Sequence, residues 1–287
     1  MSIVAVGAIT DEAGGATATI NTYTPTASNM AGRNLLFNSD FRINQRVYVS
    51  AATLASGTYG HDRFKSGASG GDYSFTQLNS STQVTIASGK SLIQVVEDKN
   101  VVGGSYVLSW TGTAEGRVGV DSATPAGAFA VSPILITGQT AGTTMSVEFD
   151  EGTLGTIQLE EGSVATPFEH RSYGTELALC QRYLPAFRGT TTNTPLGAGY
   201  CPNSVLIDVV IPFVVPTRAD VTGIVISAAG DFSQLMLSDA ITAVTINSVG
   251  NTSCNVRFTT TGVASFQANA IRLNTASAFI YFTGAEL

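Results

Sequence analysis

The chain has 287 residues, 44% of them hydrophobic, which is enough material for two average domains with buried cores. Charged residues make up only 12% of it and the net charge is −7, so the basic stripe of a nucleic-acid-binding protein is absent and an anionic membrane surface is disfavoured. No apolar run approaches the ~18 residues of a membrane-spanning helix and no signal-peptide pattern opens the chain, so we expect synthesis and folding in a cytoplasm.

Residues 1–32 predict an extended arm rather than a folded domain. Gly14, Gly15 and Pro25 interrupt this segment, and it holds too few large apolar side chains to form a core. We therefore expect a partner to order the arm.

Residues 33–173 contain many short segments with alternating or β-branched residues, separated by turn signals. Because no helical periodicity lies between them, the pattern predicts an antiparallel β-sandwich or jelly roll. The predicted strands are 35–37, 41–45, 73–77, 83–86, 91–96, 105–110, 116–120, 132–136, 145–149 and 154–159. The predicted fold class is all-β, with two such domains after the arm.

One segment has the character of a helix. Thr175 is the predicted N-cap and Pro185 ends the helix, so residues 174–188 are predicted to link the two domains. Residues 190–203 contain Gly and Pro and are predicted to be a polar connection. A C-terminal β-sandwich over residues 189–287 is then predicted from strands at 205–213, 222–226, 243–246, 255–258 and 278–282.

Several motifs resemble the tail-fibre proteins of phages and prophages. The run from Met30 to Arg46 contains RNLLFN at residues 33–38 and ends with QR, although Ser39 stands where glycine is usual. Tyr59–Phe64 matches a Y-x-x-DRF element. Residues 155–169, with ATPFE, and Tyr173–Tyr183, with CQRY, resemble the closing strand and helix of the same proteins. The resemblance covers residues 30–185. It implies a virion structural protein whose first domain is a jelly roll similar to carbohydrate-binding modules.

Few residues suggest catalysis. His61-Asp62-Arg63 is the closest to a reactive cluster, but no Gly-x-Ser-x-Gly elbow accompanies it, and we interpret it as a conformational element that leads into a strand. Glu160 and Glu161 are adjacent on a predicted strand and point to opposite faces, so they cannot flank one glycosidic bond; one of them is expected to bond to Arg171 or a turn. We therefore predict that the protein is not an enzyme and needs no cofactor.

Metal binding has little support in the sequence. Calcium near Glu97-Asp98 or Asp150-Glu151 is conceivable because Ca²⁺ needs several oxygen ligands, but no EF-hand spacing is present. The three cysteines, at positions 180, 201 and 254, lack metal-ligand spacing and are expected to be reduced and buried.

Two pairs of residues are the candidate ligand-binding residues. Tyr106 and Trp110 share one face of a predicted strand, so their rings form either a glycan-stacking platform or part of the sandwich core. Phe232 and Gln234, in a predicted Gly-flanked loop at 230–239, are candidates for sugar recognition by the C-terminal domain.

The expected function is that of a bacteriophage tail-fibre or receptor-binding subunit on the particle surface. Residues 1–32 would join other phage structural proteins, the sandwiches would contact a host-surface glycan, and a homotrimer would add multivalency. No nucleic acid and no membrane insertion are expected. The alternative is a capsid decoration or head-fibre protein, or a tail adaptor, without a receptor. A capsule depolymerase is disfavoured, since no repetitive β-helix with clustered acids is evident.

Overall fold

A computed structural model describes residues 32–78, 81–235 and 240–287, and its contacts divide the chain into two compact units. Within the described residues, the first unit comprises 32–40, 55–57 and 66–171, and the second comprises 41–54, 58–65 and the chain from 172 onward. Antiparallel sheets build both units, which confirms the all-β fold class. The predicted arm lies almost entirely outside the described residues.

The first unit contains a four-stranded and a five-stranded sheet. Its strands are β1 (Lys65–Ser66), β2 (Tyr73–Gln77), β3 (Thr82–Ile86), β4 (Leu92–Val96), β5 (Gly104–Gly112), β6 (Gly116–Gly119), β7 (Ile134–Gln139), β8 (Met145–Phe149) and β9 (Gly152–Glu161). The sheet orders are β1-β4-β8-β6 and β2-β3-β9-β5-β7. Most of these strands overlap the predicted ones, because one buried face leaves an alternating pattern in each strand.

The two sheets of the first unit pack face to face. Trp110 of β5 meets Phe149 of β8 edge-on, with ring centroids 5.2 Å apart. Gly116 of β6 lies beneath the indole, and a Cβ there would come within 2.8 Å of the Trp110 ring. The sandwich core therefore depends on a glycine opposite a tryptophan.

The two strands predicted at the start of the first domain are wrong. Residues 35–37 and 41–45 form no strand, and Asn38 and Phe41 have φ angles of 56° and 54°. Left-handed backbone of this kind interrupts an extended strand. The Asn34 side chain instead donates to the Ile157 carbonyl (2.9 Å) and accepts from the Leu159 N–H (3.1 Å), which fastens this segment beside β9.

The second unit contains a six-stranded and a three-stranded sheet. Its strands are β10 (Ala186–Arg188), β11 (Thr194–Asn203), β12 (Leu206–Pro212), β13 (Gly223–Ile226), β14 (Phe232–Gln234), β15 (Ile241–Val249), β16 (Ser253–Thr260), β17 (Ala268–Leu273) and β18 (Phe279–Thr283). The sheet orders are β14-β17-β11-β12-β16-β15 and β10-β18-β13. One hydrophobic core contains side chains of both sheets, among them Val209, Phe258 and Phe282.

Strand β11 corrects the prediction that residues 190–203 form a polar connection, since β11 lies inside the six-stranded sheet between β17 and β12. Glycine permits this position. A Cβ at Gly199 would come within 1.8 Å of the Asp208 carbonyl oxygen, and one at Gly197 would come within 2.8 Å of Val209 Cγ1. The glycines that suggested a loop are therefore required by close approach of the neighbouring strand.

A single α-helix, α1 (Tyr173–Gln181), occurs in the part of the chain that the structure describes, together with two 3-10 turns at Asp98–Asn100 and Ala229–Asp231. Ser172 rather than Thr175 is its N-cap, because the Ser172 hydroxyl accepts from the Thr175 N–H. This helix belongs to the second unit, together with residues 41–54 and 58–65. The compact units thus differ from the predicted boundaries of 33–173 and 189–287. No helix among the described residues is long and apolar enough to cross a membrane.

Candidate functional site

Tyr106 and Trp110 are core residues and present no platform to a glycan. Their side chains are 0% and 7% exposed. The Tyr106 hydroxyl accepts from the Val102 and Gly103 N–H groups, both at 3.1 Å, and the Trp110 indole donates to the Ala114 carbonyl at 2.8 Å. Because the polar ends of both side chains are hydrogen-bonded inside the sandwich, Tyr106 and Trp110 form part of the sandwich core, which is the second of the two interpretations given above.

Phe232 and Gln234 are also buried, which corrects their prediction as loop residues that recognise a sugar. They lie on strand β14, and each is 0% exposed. Gln234 accepts from the Asn269 side chain at 2.7 Å and donates to the Gly262 carbonyl at 3.3 Å. The Gln234 side chain therefore links β14 to β17 and to the loop that follows β16. Residues 236–239 of the same predicted loop lie outside the described residues.

The paired carboxylates are divided between the interior and the solvent. Glu160 is buried and accepts from the Thr166 N–H (2.8 Å) and hydroxyl (2.6 Å), and Arg33 lies 3.6 Å away. Glu161 is exposed. The predicted bond from a carboxylate to a turn is therefore formed by Glu160, whereas Arg171 lies 3.4 Å from Glu169.

His61, Asp62 and Arg63 are buried within the second unit. Asp62 accepts from the backbone and side-chain N–H groups of Gln45, at 2.6 and 2.7 Å. Burial lowers the pKa of His61 to about 4, so the imidazole is neutral at pH 7. Arg63 has a φ of 72° and lies over the Tyr183 ring. The trio acts as a conformational element just before β1.

No group of three or more His, Cys, Asp or Glu side chains in the described residues is placed to hold a metal ion. Glu151, one of the conceivable calcium ligands, instead accepts from the Ser88 hydroxyl (2.7 Å) and the Gly89 N–H (2.6 Å). These bonds lower the pKa of Glu151. The three cysteines are free thiols, and all are buried.

The first unit carries a polar groove of about 340 Å³ on the outer face of its four-stranded sheet. Its lining residues are Ala68, Ser69, Gly89, Lys90, Ser91, Arg117, Phe129, Glu148, Asp150 and Glu151. Met145, Val147 and Phe149 of β8 are wholly buried, so Glu148 between them points to the opposite, outer face. Arg117 of β6 lies directly across from Glu148 in the sheet register.

The floor of the groove is a fixed hydrogen-bonded unit. Arg117 donates from Nε and Nη2 to one Glu148 oxygen, at 2.8 and 2.7 Å, and the Ser91 hydroxyl donates to the other at 2.6 Å. Gly67 allows this arrangement, because a Cβ there would lie 2.0 Å from the Ser91 hydroxyl and 2.8 Å from Glu148 Oε1. The carboxylate and the guanidinium are thus held in place before any ligand arrives.

The walls combine one aromatic ring with further charged groups. The Arg117 guanidinium lies 4.5 Å from the centroid of the half-buried Phe129 ring. Lys90 donates to the Ser69 carbonyl at 2.8 Å, and Asp150 accepts from the Glu115 N–H at 2.7 Å. Cationic donors beside carboxylate acceptors can bridge the paired hydroxyls of a sugar. The volume of the groove lies at the lower end of the range for ligand-binding sites.

Sequence reasoning missed Arg117, Phe129 and Glu148 as site residues. Strands 116–120 and 145–149 were predicted, and each has a charged residue of opposite sign, so a signal was present. The pairing of β6 with β8 was the missing information, because alternation within a strand does not identify its neighbour.

No protein-family model and no curated protein matches this chain. Its geometry defines an all-β protein of two compact units with a preorganised polar groove in the first.

Proposed function

We propose that the protein is a structural component of a bacteriophage particle, and specifically a tail-fibre or receptor-binding subunit. The motif resemblance over residues 30–185 supports this assignment, as do the low charged fraction and the all-β fold. In this proposal the protein lies on the particle surface and binds host glycan without catalysing a reaction on it.

The groove of the first unit carries the receptor-binding part of the proposal. Glu148 and Arg117 are fixed as acceptor and donor beside Phe129, which is the combination of polar and aromatic groups that a sugar requires. The named groove residues include two cations, Lys90 and Arg117, and three carboxylates, Glu148, Asp150 and Glu151. This excess of carboxylates favours neutral sugars over acidic ones.

Adsorption of phage to host cells tests this proposal. Excess soluble protein should reduce adsorption, and Phe129→Ala should weaken the competition, because an aromatic contact with the ligand is lost. Phe75→Ala is the matched control, since Phe75 is also half-buried but lies on β2 of the other sheet. Unchanged adsorption in the presence of excess folded protein would contradict the receptor-binding role.

Attachment to the particle is proposed to use residues 1–32. Deleting residues 1–30 should leave both units folded, since the composition of this segment offers few large apolar side chains for a core, while incorporation into particles is lost. Normal loading of the truncated chain would contradict this assignment.

Assembly as a homotrimer is proposed to increase the affinity for weakly bound surface glycans. The low charged fraction makes surfaces of the chain easy to desolvate. The mass of the full chain in solution should correspond to an oligomer at micromolar concentration, and a strict monomer would contradict it.

A second candidate function is a capsid decoration protein or tail adaptor without a receptor. The burial of Tyr106, Trp110, Phe232 and Gln234 favours it, because the side chains first suggested for glycan binding are unavailable. Locating the chain in images of the whole particle distinguishes a fibre tip from a capsid face or an internal tail position.

A further inference from the structure

The loop between β16 and β17 presents a phenylalanine to solvent in a strained backbone conformation. Phe266 is 86% exposed, the highest value among the exposed large hydrophobic residues in the described part of the chain. Its φ is 61°, in the left-handed region that bulky residues rarely occupy. Strain and apolar exposure at one residue both oppose folding, and their combination motivates the search for a binding role at this loop.

Backbone bonds hold this loop in position. The Phe266 N–H donates to the Cys201 carbonyl at 2.7 Å, and the Cys201 N–H donates to the Gln267 carbonyl at 2.9 Å. At the start of the loop, the Val263 N–H donates to the Ser204 carbonyl at 2.8 Å. The buried Gln234 side chain adds a bond to the Gly262 carbonyl. The loop is therefore fastened to the end of β11 rather than free.

The described segments that these bonds join to the Phe266 loop carry no charged side chain. We define the loop tip as residues 203–205, 234–235 and 261–267, which these backbone and side-chain bonds and their neighbours bring together. It contains no Asp, Glu, Lys or Arg, and it includes amide and hydroxyl side chains such as Asn203, Ser204 and Gln267. Val205 and Leu235 are the other exposed large apolar residues of the tip, at 42% and 55%.

We propose that the loop tip of the second unit binds a neutral glycan, with the Phe266 ring stacked on the apolar face of a sugar. The amide and hydroxyl groups of the tip supply donors and acceptors for sugar hydroxyls without a charge that would select an acidic sugar. This inference rests on the proposed function, from which it takes the kind of ligand. It adds a second binding site, in the second unit, to the groove of the first unit.

Other occupants fit the tip less well. A stable protein interface buries about 800 Å² on each partner around an apolar centre, whereas this tip offers one aromatic ring and two aliphatic side chains. The same argument applies to a second copy of this chain. An anionic lipid surface would require cations, which the tip does not contain.

Binding of the full chain to an oligosaccharide array tests the proposal. The array carries neutral hexose and N-acetylhexosamine oligosaccharides, with uronate-containing ones for comparison. All proteins carry Phe129→Ala, so that the groove of the first unit does not mask the result. Phe266→Ala and Phe266→Asn should each weaken binding to neutral sugars about tenfold, and Phe266→Trp should preserve it. Tyr173→Ala, which removes another exposed aromatic residue (56%) on α1 of the same unit, is the matched control.

Thermal unfolding of the same proteins separates recognition from folding. Asparagine accepts a left-handed backbone, so Phe266→Asn should leave Tm unchanged or raise it while it weakens binding. Equal binding by the parent and Phe266→Ala, equal losses in Tyr173→Ala and Phe266→Ala, or no neutral-sugar binding by the parent would each overturn the inference.

The adsorption experiment keeps this inference distinct from the proposed function. If the soluble chain blocks phage adsorption but Phe266 variants block it equally well, the receptor-binding proposal stands and the loop-tip inference fails. If Phe266 is needed for array binding while adsorption is unaffected by the protein, the inference stands and the receptor-binding proposal fails.

Discussion

The guanidinium carbon of Arg63 lies 3.6 Å from the centroid of the Tyr183 ring. Both side chains are buried, with exposures of 3% and 1%. Next to this pair, Gln45 donates to Asp62 at 2.7 Å and to the Leu184 carbonyl at 3.0 Å. Residues early in the sequence are thereby fastened to the end of α1 within the second unit.

These residues belong to the motifs that resemble tail-fibre proteins. Gln45 is part of the QR element, Asp62 and Arg63 belong to the DRF element, and Tyr183 closes the CQRY element. In the structure they bond to one another and are buried. The motifs therefore maintain the fold of the second unit, and the ligand contacts proposed above involve other residues.

Replacing Arg63 should destabilise the second unit. Arg63→Lys removes the planar group that covers Tyr183 and should lower the free energy of unfolding by about 2 kcal/mol, because the contact is desolvated. Denaturant titration of the full chain measures this change. Arg188→Lys is the matched control, since Arg188 lies 5.9 Å from the Phe279 centroid and is more exposed, so its effect should be smaller. Equal effects would contradict the assigned role of Arg63.

His61 should make stability depend on pH. Burial lowers its folded pKa to about 4 from an unfolded value of 6.5, so its contribution is fully present above pH 6.5. As the pH falls from 6.5 to 4, His61 binds a proton in the unfolded chain but not in the folded chain. The free energy of unfolding therefore decreases by about 3 kcal/mol. His61→Phe should flatten this dependence, whereas the exposed His170→Asn should not.

The difference between wild type and the His61 variant isolates this one titration. Burial raises the pKa of Asp62, which acts in the opposite direction, but Asp62 is present in both proteins. Parallel pH profiles for wild type and His61→Phe would show that His61 is not the group concerned.

Gly199 should be intolerant of any side chain. A Cβ at this position would lie 1.8 Å from a backbone oxygen of β12, so Gly199→Ala should destabilise the second unit by about 3 kcal/mol or more. Gly230→Ala is the matched control, because nothing lies within 4 Å of its Cβ position. A small effect of Gly199→Ala on thermal unfolding would place β11 outside the middle of the sheet.

Glu148 should be needed for the groove. Glu148→Gln removes the charge that orients Arg117, and we expect the first unit to lose about 1–2 kcal/mol of stability and neutral-glycan binding to weaken. Glu161→Gln, an exposed carboxylate of the same unit, should change neither quantity. Undiminished binding by a folded Glu148→Gln protein would remove the groove from the proposed function.

The sequence by itself determined the all-β class and most strand positions. In β3 the residues Thr82, Val84 and Ile86 are buried and the two residues between them are exposed. The same alternation can be recognised in the amino-acid sequence. The position of α1 was also predictable from the sequence, because strong helix formers precede Pro185. Each of these features is local, so a window of a few residues contains the physical information that produces it.

Only the tertiary structure decided which strands are neighbours and which face is covered. Arg117 and Glu148 become a site because β6 pairs with β8, and Gly199 belongs in a strand because β12 passes close to it. Phe232 points into the core and Phe266 to solvent, although both follow Gly- and Ala-containing segments. Alternation shows that a strand has two faces, but the packing of distant segments determines which face meets water.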